Sequence, residues 1–200
     1  MLKRYRIVAL VMLTLLSFLA HANPDNANHT AFTFDGKPIN PACLAMINNS
    51  EVDMPFIHEI NMNICQHANA TDDWTGQGTS YKNKHGSYSY KVIGETTNHI
   101  FVIETISNSN GTGMFQNIVF CRLEGKAQPS WNNQKKAFFS DTYTALIYVG
   151  MITGGDRFTG SFKKLRVKGN HVIGTKYSED NTPSNNNHAL IPVDFDLTGM

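Results

Sequence analysis

Apolar and polar positions alternate with a period of two over much of this chain, the signature of strands with one face buried. From Phe56 to Cys65, Ile60, Met62 and Ile64 fall on one side and Glu59, Asn61 and Asn63 on the other. Tyr88, Tyr90 and Val92 alternate with Ser87, Ser89 and Lys91, and His99–Ile106 is β-branched and aromatic. A turn at Asn110-Gly111 precedes a strand over Met114–Leu123, and Ala145–Ile152 supplies another. Between these two, Gly125–Ser140 breaks the pattern with polar residues around Trp131. His67–Gly86 is polar and rich in Gly, Asp, Asn and Ser, which predicts a long loop. Cys43–Ile47 is a short apolar stretch that fits one or two helical turns, with Pro41 near the first position.

The last third is more specific. Gly154-Gly155 and Gly169-Asn170 have the composition of two-residue hairpin turns. They predict a meander of strands Thr144–Thr153, Asp156–Lys168 and His171–Tyr177. In the middle strand Phe158 and Phe162 share one parity, whereas Leu165 and Val167 share the other. An extra residue near Lys163-Lys164 puts all four on one face, so a β-bulge is expected there. The turn also sets Val172 opposite Val167. After a polar loop over Ser178–His188, Ala189, Ile191, Val193, Phe195 and Leu197 alternate again. Pro192 lacks an N–H, which makes this an edge strand. The expected fold is all-β, a mainly antiparallel meander forming a barrel or sandwich, with a short N-terminal helical or irregular segment.

The first 22 residues change the setting. Lys3, Arg4 and Arg6 precede an uncharged apolar run, Ile7–Ala20, and Ala20-His21-Ala22 is a small-x-small cleavage pattern. This predicts a secretory signal over residues 1–22 and a single β-rich domain over 23–200. The localisation expected is periplasmic or extracellular. The chain has 17 basic and 16 acidic residues; losing three basic ones leaves 14 against 16, a net −2 with His neutral. Such a balance gives no footing for nucleic-acid binding. No second apolar run approaches the roughly 20 residues of a membrane-spanning helix, so no membrane span is expected after cleavage.

An oxidising compartment gives the three cysteines a meaning. Cys43–Cys65 is the favoured disulfide because a short loop closes at lower entropic cost; Cys65–Cys121 is the alternative. Cys121 lies in the apolar run Ile118–Cys121, where a free thiol packs as a small hydrophobe. Asparagine occurs 21 times, and Asn28, Asn48, Asn69 and Asn110 begin Asn-x-Ser/Thr sequons.

Sharp catalytic motifs are absent: the chain has no Gly-x-Ser-x-Gly, His-Glu-x-x-His, phosphate-binding Gly-Lys-Ser/Thr or Cys-x-x-Cys. His58, Cys65 and His67 include metal-competent groups, but a disulfide at Cys65 removes its thiolate, so no metal or cofactor is expected. Asp72-Asp73-Trp74, followed by Gly76 and Gly78, could carry Ca²⁺ or stack a ligand on the indole, though a solvated turn is the plainer account. The candidate ligand-binding residues are therefore Asp72, Asp73, Trp74, Tyr81 and Trp131. Tyr81, Tyr88 and Tyr90 suit sheet packing more readily than a ligand platform. Lys163, Lys164, Arg166 and Lys168, with Arg157, form a basic cluster suited to a solvated hairpin edge or an anionic partner.

The function expected is an exported, non-enzymatic binding protein. It would present residues 66–86 and 125–140 to a protein, a glycan or a small apolar ligand. A secreted hydrolase with its site on those loops, or a structural envelope component, are the alternatives; the hydrolase needs a histidine or carboxylate pair converging in a cleft.

Overall fold

The computed structural model describes residues 32–48, 57–66, 79–84, 86–156, 159–178 and 189–200. A two-stranded hairpin, β1 (Thr33–Phe34) and β2 (Lys37–Pro38), leads into helix α1 (Pro41–Asn48). A short strand β3 (Glu59–Asn61) and one helical turn α2 (Met62–Cys65) follow. The remaining strands are β4 (Ser80–Asn83), β5 (Gly86–Glu95), β6 (Phe101–Asn108), β7 (Phe115–Asn132) and β8 (Ala137–Asp156). They are completed by β9 (Phe162–Lys168), β10 (His171–Tyr177) and β11 (Leu190–Asp196). The fold is all-β and antiparallel in every pairing of the described residues. One sheet runs β3-β8-β7-β6-β5-β4 and curls as a half-barrel; a second runs β11-β10-β9.

The larger sheet is covered on both faces. Tyr88, Tyr90, Phe101, Ile103, Val119, Cys121 and Leu146 pack beneath the N-terminal segment, against Phe32, Ile39, Leu44, Ile47 and Met62. Val102, Ile118 and Phe120 point to the opposite face and meet Phe162, Val172 and Leu197 of the smaller sheet and its end. A strand buried on both faces has no polar side to show. This is why Phe101–Ile103 and Ile118–Cys121 are continuous apolar runs.

Local chemistry seats the N-terminal cover. Asn40 precedes Pro41 at the start of α1, and its Oδ1 accepts from Ala42 N at 3.0 Å. The Cys43–Cys65 disulfide ties α1 to α2 with both cysteines buried. Beside it Gln66 accepts from Asn40 N at 2.8 Å and donates to Pro38 O at 2.9 Å. The buried Tyr90 hydroxyl donates to Ile39 O at 2.7 Å, which fastens the cover to the sheet. Cys121 is the free, fully buried thiol, and burial pushes its pKa up, so it stays protonated and unreactive.

Several expected elements form as the pattern indicates. Gly169-Asn170 makes the β9–β10 turn, with Gly169 at φ +62, and Val172 faces Val167. The bulge lies where expected: Lys164 has φ +53, and Lys164 and Leu165 together face Gly174 alone. A Cβ on Gly174 would sit 2.9 Å from Leu165 Cδ2 and from Lys163 O, so only glycine admits the bulge. Strand β11 lies at the edge of the smaller sheet.

Four expectations are corrected. The alternation from Phe56 to Cys65 yields only three strand residues, because the Asn61 side chain caps α2 by accepting from Asn63 N at 2.9 Å. The helical turn buries Met62 and Cys65 and leaves Ile64 70% exposed, as a period near 3.6 requires. The polar stretch expected to be all loop carries β4, which pairs with β5. Gly154-Gly155 does not make a hairpin turn but continues β8, whose partner is β7. A Cβ on Gly154 would lie 2.5 Å from Gln116 O and one on Gly155 1.4 Å from Thr159 O, so close backbone approach selects the glycines. Finally, the interruption at 125–140 is not a loop: β7 runs on to Asn132 and β8 starts at Ala137.

Candidate functional site

The extension of β7 and β8 beyond their sheet neighbours forms a distinctive surface of the described residues. Strand β6 pairs with β7 only as far as Phe101↔Cys121, and β3 pairs with β8 only as far as Asn61↔Ala145. Beyond these points, Gly125–Asn132 and Thr144–Ala137 pair with each other and, among the described residues, with nothing else. Eight cross-strand pairs at about 3.3 Å per residue make an arm about 26 Å long. Among the described residues no sheet face covers it, so no apolar alternation is imposed on its sequence. Pro129, which has no N–H to offer a neighbouring strand, sits where β7 has lost its β6 neighbour.

Because side chains alternate, the register sorts the arm into two faces. One carries the pairs Trp131/Phe138, Pro129/Ser140, Ala127/Thr142 and Gly125/Thr144, with no charged residue. The other carries Asn132/Ala137, Ser130/Phe139, Gln128/Asp141 and Lys126/Tyr143. Trp131 and Phe138 meet edge to face with centroids 5.0 Å apart and are 49% and 72% exposed. Phe139 is exposed on the other face. The tip is a short loop in which Asn132 Oδ1 accepts from Gln134 N and Lys135 N, and Lys136 takes φ +48. At the base, Glu59 of β3 accepts from the Tyr143 hydroxyl at 2.7 Å and lies 3.4 Å from Lys126 Nζ.

Of the candidate residues, Trp131 lies near the tip of this arm. Tyr81 belongs elsewhere. It sits on β4, stacks on Tyr88 at 5.6 Å, and burial raises its pKa to about 12. Reading across the sheet, Tyr81 is level with Tyr88, Ser107 and Phe115. Phe115 is 16 residues before Trp131 on β7, about 50 Å along the strand. The structure does not bring Tyr81 and Trp131 into one site. Asp72, Asp73 and Trp74 lie outside the described residues, as do His67, Arg157, Phe158 and the N-terminal 31 residues.

Phe138 and Phe139 are surface residues that the pattern analysis did not single out. The signal was present: two consecutive aromatics in a segment with no alternation have no core to enter.

Ionisable pairs are present on the smaller sheet and its neighbouring turn. His171 Nδ1 lies 2.8 Å from Asp194 Oδ1, and this partner raises the histidine pKa. His99 Nδ1 lies 2.9 Å from Glu95 Oε1. Both histidines are solvent-exposed, at 46% and 85%. Among the described residues no group of three or more His, Cys, Asp and Glu side chains could hold a metal ion. Nor is any helix among them long and apolar enough to cross a membrane. Compared with known proteins, the chain matches no family, no curated protein and no solved structure.

Proposed function

We propose that the protein is an exported, non-enzymatic binding protein that engages a protein partner through its arm. One observation carries this reading: the charge-free face of the arm, ending in the exposed Trp131–Phe138 pair. Exposed aromatics are what hot spots are built from, since they bury large area at little entropic cost. A protein is favoured over a small ligand because the arm offers an extended surface and unpaired strand edges, which another chain can match with backbone donors and acceptors. The disulfide supports an oxidising compartment, in keeping with the signal-like first 22 residues.

Photo-crosslinking in the cells that make the protein tests this. A benzoylphenylalanine at position 138 is expected to give one discrete protein adduct that Trp131→Ala abolishes. The same probe at Lys84, an exposed site on the far side of the sheet, is expected to give none. No adduct at 138, or equal adducts at 138 and 84, would overturn the reading.

A further inference from the structure

The β9 bulge opens a cleft of about 240 Å³ at the seam between the two sheets. Its floor is apolar: Phe162 is 2% exposed, and Ile93 and Leu165 pack in the same cluster. Its lip is basic. A regular strand would place one residue between two inward-facing side chains; the bulge places two, Lys163 and Lys164, between Phe162 and Leu165. Lys91 of β5 joins them from the larger sheet. Among the described residues, none of these three lysines has a carboxylate partner.

The acid in the wall is already engaged. Glu104 accepts from Gln116 Nε2. The same buried glutamine donates to Phe162 O at 3.2 Å and accepts from Phe162 N, so it fixes the floor as well. The cleft is thus formed in advance. Among the described residues its three lysines have no carboxylate within ion-pair distance; Lys163 Nζ lies 5.8 Å from the centre of the Tyr177 ring, and Glu104, the cross-strand neighbour of Lys91, is the one hydrogen-bonded carboxylate. Like charges gathered over an apolar floor repel one another, and a ligand anion relieves that repulsion. We propose that this cleft binds a small amphipathic carboxylate, its apolar body on Phe162, Ile93 and Leu165 and its carboxylate among Lys91, Lys163 and Lys164. The volume equals that of about eight liquid waters, which suits a short fatty acid or a phenyl-bearing acid.

The test titrates octanoate and its uncharged twin octanamide into the full chain with its disulfide intact, followed by calorimetry and amide chemical shifts. Octanoate is expected to shift the amides of residues 91–93 and 162–165 and to bind at least tenfold more tightly than octanamide. Added salt should narrow that gap by screening. The exposed double substitution Lys91→Gln with Lys164→Gln should weaken octanoate at least tenfold and leave octanamide unchanged. Equal affinity for acid and amide, or shifts lying away from the cleft, would overturn the proposal whether or not the double variant folds. Trp131→Ala should leave octanoate binding intact, which separates this site from the arm.

Discussion

The Tyr143 hydroxyl donates to Glu59 Oε1 at 2.7 Å, and that one contact joins the shaft of the arm to the edge strand of the sheet. Lys126, directly across the ribbon from Tyr143, reaches the other Glu59 oxygen at 3.4 Å. Glu59 therefore grips both strands of the arm where their sheet neighbours end. The Tyr143 hydrogen bond, with Lys126 second, holds the Glu59 carboxyl below its ordinary value of 4.5.

Breaking this grip should loosen the arm without unfolding the sheets. A group with a depressed folded pKa contributes fully above its unfolded value, and that contribution is lost as pH falls through the folded one. Hydrogen exchange at residues 125–132 and 137–144 should therefore quicken, relative to the sheet, below pH 4.5. Glu59→Gln should produce the same loosening already at pH 7. Exchange in the arm that does not respond to the substitution would show that its base is held by the backbone alone.

The Cys43–Cys65 crosslink closes a 22-residue separation between α1 and α2. By loop entropy, its removal costs about 3 kcal/mol. Urea unfolding of a Cys43→Ala, Cys65→Ala variant should show this loss, and reduction of the unmodified protein should match it. The buried Cys121 thiol should remain unlabelled by thiol reagents until the sheet unfolds.

How far the fold could be foreseen depended on how each strand is covered. The β9–β10 hairpin, the Val167↔Val172 pair and the bulge at Lys164 were all legible, because inward parity and turn chemistry act within a few residues. The β3–α2 junction was not, since Met62 and Cys65 satisfy a helical period as readily as Ile60 and Met62 satisfy an extended one. The arm escaped for the opposite reason: with neither face packed on a core among the described residues, nothing constrains residues 125–132 to alternate. Periodicity detects half-buried strands and is silent on exposed ones. At the candidate site, Trp131 was recognised by type, but its setting depended on where β3 and β6 stop pairing, a long-range fact. The cleft depended on Lys91 meeting Lys163 and Lys164 across two sheets.

Gln116 is the polar tie between those sheets. Both polar atoms of its side chain serve Phe162, and the residue is only 7% exposed. Gln116→Leu keeps the shape but leaves the Phe162 N–H and C=O without these partners. Each buried orphan costs about 1–3 kcal/mol, so a loss of about 2–6 kcal/mol is expected in urea unfolding. A change under about 0.5 kcal/mol would mean that water replaces the amide.

Gly155 and Gly111 should respond unequally to the same substitution. Gly155→Ala would force a Cβ to 1.4 Å from Thr159 O, where β8 ends and the chain crosses to the smaller sheet. Backbone must move, and a drop in melting temperature is expected. Around Gly111 nothing lies within 4 Å of the added carbon, so Gly111→Ala should be near neutral. Equal effects at the two positions would contradict the close approach that replaced the expected hairpin turn.

His171 makes the smaller sheet sensitive to pH in the direction opposite to the arm. Its Nδ1 pairs with Asp194 at 2.8 Å, and its Nε2 lies 4.0 Å from Asp196, its cross-strand partner on β11. The Asp194 hydrogen bond is the main cause of the raised histidine pKa; Lys168 opposes it weakly. A raised folded pKa means the stabilisation is complete below the ordinary value of 6.5 and disappears as pH climbs through the folded value. The β10–β11 edge should then hold more firmly at pH 6 than at pH 8, seen as slower amide exchange at Ile173 and Val193. Because the pair is exposed, added salt should shrink the difference. In His171→Gln the exchange rates, corrected for intrinsic pH dependence, should be equal at the two pH values. A difference that survives the substitution would place the titrating group elsewhere on the edge.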